Sequence, residues 1–289
     1  MKVIIKKIIS FFKITFYLLT WFIRQVLHED FKNYISYQKK NKPVIILGNG
    51  PSLTNLINDP DFNETRDKND FCVVNFSILS PLFRQLKPEY LTIADPLFFQ
   101  RPYSNEKMRL FMEELMKVDW NMTLIIPFIY YKQITKETDK NSFIKIMPIH
   151  SNILNKKINN QTIRNLIYRK GLSCPRLQNV LVASIYSMIN SGYKTIYLFG
   201  VDHSWTTQLC VNAQNQVCLR DLHYYDDKTV ELKPWLKGSG EIYKMHEVLR
   251  DLAHMFDSYH ELQNYANYIN NTKIINKSKE SFIDAFTKA

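Results

Sequence analysis

A histidine and two tyrosines stand together at His223, Tyr224 and Tyr225, inside a polar stretch spanning residues 203–240. That stretch begins with His203, Ser204 and Trp205, directly after Asp202. An imidazole titrates near neutral pH, so a histidine in a polar segment suits the removal of a hydroxyl proton. His223 and His203 are therefore candidate bases, with His223 the stronger by its setting. A lone loop histidine is as readily a surface residue. Tyr224 and Tyr225 could hydrogen-bond a departing anion or simply pack. Asp226 and Asp227 form an acid pair, but they lie in a loop and not at a strand end, which argues against a metal. His246, His254 and His260 are separated by eight and six residues, a spacing that does not bring all three to one helix face. Cys72, Cys174, Cys210 and Cys218 form no CxxC pair, so reduced thiols in a cytoplasmic setting are expected.

The second stretch able to do chemistry is VIILGNGPSL, residues 44–53. Four apolar residues run into Gly48, Asn49, Gly50, Pro51 and Ser52. Two glycines allow close backbone approach, and Pro51 suits a first helical position. Ser52 and the N–H groups of a helix start would then face a ligand, and a helix N-terminus favours anions. The stretch has too few glycines for a dinucleotide fingerprint and no lysine for a P-loop. A nucleoside monophosphate or a sugar nucleotide fits it better than ATP.

Short apolar runs alternate with longer amphipathic ones around these residues. Strands are expected at 44–47, 71–76, 90–94, 123–128, 194–202 and 272–278. Helices are expected at 105–118, 176–190 and 241–256, with Gly192 placed as a helix C-cap. Strands separated by helices imply an α/β fold with a mainly parallel sheet covered on both faces. Ligands of such sheets bind beyond the carboxyl ends of the strands. The strand-ending residues are Gly48 to Ser52, Asn75, Asp95, and Gly200 with Asp202 and His203. Each alone could be a turn residue; together they predict a ligand crevice.

The chain has 289 residues and a net charge of +11. Residues 1–28 carry five of those positive charges and no acid, and the mild remainder argues against a nucleic-acid partner. On a helix, Lys2, Lys6, Ser10, Lys13, Tyr17, Thr20, Arg24 and His28 fall in one stripe, with Ile, Phe, Leu and Trp covering the other sides. The uncharged stretch is too short to span a bilayer, and no signal-peptide cleavage site follows. A helix lying in the plane of an anionic membrane is expected, with packing against another subunit or the domain's own core, or a true span with Lys13 snorkelling, as the alternatives. The organisation is then a membrane-associating helix and connector over residues 1–40. A domain follows over residues 41–289, with a lid at about 203–240.

GNGPSL after a strand resembles the start of bacterial sialyltransferases that build lipooligosaccharide. ADPLFFQ, residues 94–100, resembles that family's NPSLFFEQ segment, and SGYKTIYLFGVD, residues 191–202, its GYKEIYLSGID. An asparagine ends the second strand in both. The similarity covers roughly residues 43–260 in four islands. Flagellin-modifying motility-associated proteins and archaeal hydroxymethylpterin pyrophosphokinases share the GNGPS unit, so the fold follows more firmly than the substrate.

The resemblance implies a Rossmann-like nucleotide-binding domain with a lid, and a CMP-activated sialic acid as donor. No metal is obligatory, with Mg2+ stimulation left open. Asn49, Gly50 and Ser52 would contact the cytidine phosphate or ribose, and Asn75 would hydrogen-bond the donor. Asn179, in the helix 176–190, would add a further contact. Asp95 stands where the family has a donor-binding asparagine, and a carboxylate there would repel a donor carboxylate. Family lid tyrosines bind the departing phosphate, a role open to Tyr224 and Tyr225. HisTyrTyr resembles a HisTyrIle triplet, but the family's catalytic histidine falls just after it, near Lys237 or Gly238 here. The resulting expectation is a glycosyltransferase at the cytoplasmic face of the inner membrane. It would move an acidic sugar from a CMP donor to a lipid-linked surface glycan, as a monomer or a homo-oligomer. A pyrophosphokinase-like enzyme, using Asp95 and Asp202 for a metal, is one alternative, and a non-catalytic scaffold is the other.

Overall fold

The computed structural model describes residues 2–57, 62, 66–100, 105–220, 232–270 and 272–289. Its centre is a parallel sheet. In chain order the strands are β1 Val44–Leu47, β2 Asp70–Val74, β3 Tyr90–Thr92, β4 Met122–Pro127, β5 Ile144–Ile149 and β6 Thr195–Phe199. A small antiparallel sheet follows, of β7 Leu209–Val211, β8 Val217–Leu219 and β9 Lys233–Pro234. The chain then returns through β10 Lys273–Asn276 and β11 Thr287–Lys288. The large sheet has eight strands in the order β11-β10-β6-β1-β2-β3-β4-β5. The α/β, Rossmann-like expectation therefore holds, with a parallel sheet, flanking helices and an N-terminal helix.

Strand composition explains the layering. All four residues of β1 are buried, because both faces of a parallel sheet are covered by helices. Alternate residues enter opposite cores, as the two-residue strand period demands. Val44 and Ile46 join Cys72 and Val74 on one face, against the helices Val180–Ser191 and Met245–Asn270. Ile45 and Leu47 join Phe71 and Val73 on the other, with Phe83, Phe99 and Phe111.

The Val180–Ser191 helix is buried from Leu181 to Ser191, its apolar run interrupted only by small or uncharged polar residues at Ser184, Ser187, Asn190 and Ser191. It ends at Gly192, whose φ of 100° closes the helix as expected of that glycine. The last long helix runs to Asn270 rather than ending near 256. Its apolar period continues through Tyr259, Leu262, Tyr265 and Ala266, all buried.

The N-terminal segment is one helix, Lys2–His28. Its inner side docks on the domain through Ile14, Tyr17, Leu18, Trp21 and Gln25. Trp21 Nε1 donates to Asn152 O at 3.2 Å, and Asn152 Nδ2 returns bonds to Trp21 O and Gln25 Oε1. The connector is not merely polar: the Glu29 carboxylate is buried on His150 and on the Ser151 N–H at 3.0 Å.

Candidate functional site

The chain builds the sheet outward from β1 to β5, then crosses back to lay β6 on the other side of β1. The connections leaving β1 and β6 therefore diverge, and a crevice opens beyond the carboxyl ends of those two strands. The turns that leave β1 and β6 stay zipped past the end of the sheet. Gly48 N donates to Phe199 O at 2.8 Å, and Gly50 N to Gly200 O at 2.8 Å. A Cβ on Gly48 would stand 2.3 Å from Gly200 O, and one on Gly50 2.7 Å from Asp202 Cγ. Gly200 has a φ of +65° and would meet Leu53 Cβ at 2.9 Å. Glycine is required here for the approach of one turn to the other, whereas close approach of a ligand had been expected.

Asp202 completes this contact. Its Oδ2 accepts the Ser52 N–H at 2.8 Å, and its Oδ1 accepts the Ser52 hydroxyl. Burial pushes the Asp202 pKa up, the Ser52 donors pull it back in part, and Glu280 adds to the rise. The helix begun by GNGPS is only Leu53–Ile57, and the protein's own carboxylate holds the two Ser52 donors assigned to a phosphate. The sequence-based anion site at Ser52 is thus filled from within.

A crevice with a cavity volume of about 110 Å³ opens beside this clasp. Residues 48–51, 74–75, 179–181, 200, 202–205 and 208 line it. Gly48, Asn49, Gly50, Pro51, Asn75, Asn179, Gly200, Asp202 and His203 were all expected at the site, and the fold brings them together. Asn49 braces the wall: its Oδ1 accepts from Ser77 Oγ at 2.6 Å and its Nδ2 donates to Val74 O at 3.4 Å. Asn75 follows β2 directly with a φ of 50°, a left-handed conformation that strains a non-glycine residue. Its Oδ1 is buried without a hydrogen-bond partner. Asn179 caps the Val180–Ser191 helix by accepting from Leu181 N at 2.7 Å, so that helix begins at the crevice wall. This twelve-residue helix carries the partial positive charge of its N-terminus to the crevice, in place of the short helix after Ser52.

His203 lines the crevice but does not behave as an ordinary loop histidine. Its φ is 55°, and its Nε2 is hydrogen-bonded to Tyr259 OH. Its ring packs 4.6 Å from that of Trp205. Burial pushes its pKa down to about 3, so it is a neutral imidazole and a weak base.

Three expected positions lie apart. Asp95 is exposed, accepts the Leu97 N–H at 2.9 Å and is not part of the lining, so it does not meet Asp202 there. Ser52 is also outside the lining. Lys237 is held by Glu247 at 2.7 Å and Glu241 at 3.6 Å, and those bonds raise its pKa, which opposes a role as base. His223, Tyr224 and Tyr225 lie outside the described residues. Among the described residues no cluster of three or more His, Cys, Asp or Glu could hold a metal ion. Sequence reasoning missed Gln208, whose Oε1 is also buried without a partner. No local pattern marks that residue.

Neither a protein-family model nor a curated protein matches the chain.

Proposed function

We propose that the protein is a glycosyltransferase that binds a CMP-activated acidic sugar in the crevice and transfers the sugar to a lipid-linked surface glycan. One observation carries this reading. The GNGPS turn and the Gly200 to His203 turn, 150 residues apart in sequence, form adjoining walls of one crevice at the point where strand order reverses. These turns belong to two of the stretches that resemble lipooligosaccharide sialyltransferases. The start of the Val180–Ser191 helix supplies, at the crevice wall, partial positive charge of the polarity a phosphate needs. Asn75 lines the same crevice and carries a side-chain amide, a group able to donate to a phosphate or ribose oxygen.

In the reaction, a base takes the proton of an acceptor hydroxyl. The oxygen attacks the anomeric carbon of the donor, and the bond to the phosphate oxygen breaks as CMP leaves. His203, neutral and with a lowered pKa, suits hydrogen bonding more than proton abstraction. The base is assigned to His223. The donor carboxylate must lie away from Asp202, whose charge would repel it. The enzyme would work at the cytoplasmic membrane face, where a lipid-linked acceptor is found.

The test is transfer or hydrolysis with a panel of nucleotide sugars, with and without Mg2+. Turnover of CMP donors supports the reading. Turnover confined to UDP or GDP donors, or Mg2+-dependent use of ATP, overturns it.

A further inference from the structure

The N-terminal helix has two apolar sides, and only one is covered. Ile14, Tyr17, Leu18, Trp21 and Gln25 face the domain. Roughly opposite them on the helix, Phe12, Phe16, Leu19, Ile23 and Val26 are exposed, together with Phe11 and Leu27 at 66% and 67%. Phe31, just beyond the helix, continues this surface: its ring lies 5.3 Å from that of Phe22, and both are exposed. An apolar surface of this extent marks an interaction site.

Charge identifies the occupant. Residues 1–28 contain Lys2, Lys6, Lys7, Lys13 and Arg24 and no acid. Lys13 and Arg24 are exposed along the flank between the inner and outer sides. Lys157 of the domain stands beside this flank, its Nζ 5.4 Å from the centre of the Tyr17 ring. A second copy of the helix laid on the outer side would bring five more cations with no acid to meet them. A bilayer with anionic headgroups meets both requirements, since it accepts the apolar side chains and neutralises the flank. No described helix is long and apolar enough to cross a membrane.

We propose that the outer side of this helix, extended by Phe31, is a docking surface for an anionic bilayer, lying in its plane while the inner side stays fixed to the domain. The bonds among Trp21, Gln25 and Asn152, with Arg24 on Ile153 O at 3.2 Å, couple the helix to the domain. The crevice is thereby carried at a set height and orientation above the lipid. The proposal stands independently of the nucleotide assigned to the crevice.

The experiment is co-sedimentation of the full chain with vesicles of phosphatidylcholine alone or mixed with phosphatidylglycerol, at low and high salt. Binding is expected to favour the anionic vesicles at least tenfold and to weaken in high salt. The outer-side variant Phe12→Ser with Phe16→Ser and Leu19→Ser should lose at least tenfold in binding while its circular dichroism is unchanged. Lys13→Glu with Arg24→Glu should abolish the preference for anionic lipid. Equal binding of the outer-side variant overturns the proposal. So does conversion from dimer to monomer in that variant without a loss of vesicle binding, which would make the surface a subunit contact.

Discussion

The Asp202 carboxylate accepts the Ser52 backbone N–H at 2.8 Å and the Ser52 hydroxyl as well, joining the turn after β1 to the turn after β6. The contact is one of shape and hydrogen bonding as much as charge, because burial raises the carboxylate's pKa. An asparagine could keep both bonds, with its oxygen accepting from the N–H and its NH2 donating to the hydroxyl. Asp202→Asn should therefore keep its thermal midpoint close to that of the parent protein. Asp202→Ala leaves the Ser52 donors unpaired and should lose about 1–3 kcal/mol. Urea unfolding of the two variants measures the difference.

Gly48 offers a harsher test of the same contact. A Cβ there would stand 2.3 Å from Gly200 O, a backbone atom fixed by the Gly50 N–H that it accepts at 2.8 Å. Gly48→Ala should cost about 1–3 kcal/mol, as overpacking does, and should weaken nucleotide binding by misaligning the crevice wall. Gly238 has nothing within 4 Å of an added Cβ, so Gly238→Ala is the control and should change neither.

Asn75 separates folding from binding. Its left-handed φ of 50° and its unpartnered buried oxygen both oppose stability. Asn75→Gly removes both, so the fold should gain up to about 1 kcal/mol. CMP affinity should fall at the same time, because a side-chain amide lining the crevice is gone. Paired chemical unfolding and calorimetric titration show whether the two move in opposite directions.

His150 makes the joint between helix and domain sensitive to pH. Its Nδ1 faces Glu29 Oε2 at 2.9 Å, and its Nε2 faces Lys32 O at 3.0 Å and Asp30 Oδ1 at 3.3 Å. Gln25 Nε2 lies 3.4 Å from Nδ1, and the Tyr34 and Phe128 rings flank the imidazole. Two acceptor-facing nitrogens suit the doubly protonated ring. Burial depresses its pKa most, but Glu29, the Lys32 carbonyl and Asp30 together outweigh that, and the net shift is upward. A raised folded pKa adds stability that is complete below the unfolded value, about 6.5, and lost as pH rises through the folded one. Unfolding free energy should thus decline above neutrality, and His150→Gln should flatten that decline. His150→Ala leaves the Glu29 carboxylate without its partner and should cost about 3 kcal/mol.

The sheet centre could be read directly because its signals are local. VIIL, FCVV and the run through TIYLF are apolar stretches long enough for strands and bounded by turn residues. β5 escaped because IKIMPI carries Pro148, which is tolerated there only because β5 is the edge strand. β11 is two residues long, too short for any periodic signal. The site divided in the same way. The crevice position followed from strand ends, but the work of Gly48 and Gly50 depended on Gly200, about 150 residues away. Likewise His203 read as a loop histidine until Tyr259, from the distant last helix, closed over it. Contacts between segments so far apart leave no trace in the composition of either.

The central claim is that the crevice at the ends of β1 and β6 binds a cytidine nucleotide, and calorimetric titration of the full chain with CMP tests it most directly. The account predicts a dissociation constant of about 1 mM or tighter, roughly −4 kcal/mol or better. It also predicts that Mg2+ is not required, that UMP and GMP bind at least tenfold more weakly, and that Asn75→Gly loses the binding. Absence of CMP binding, with ATP and Mg2+ bound instead, would contradict it.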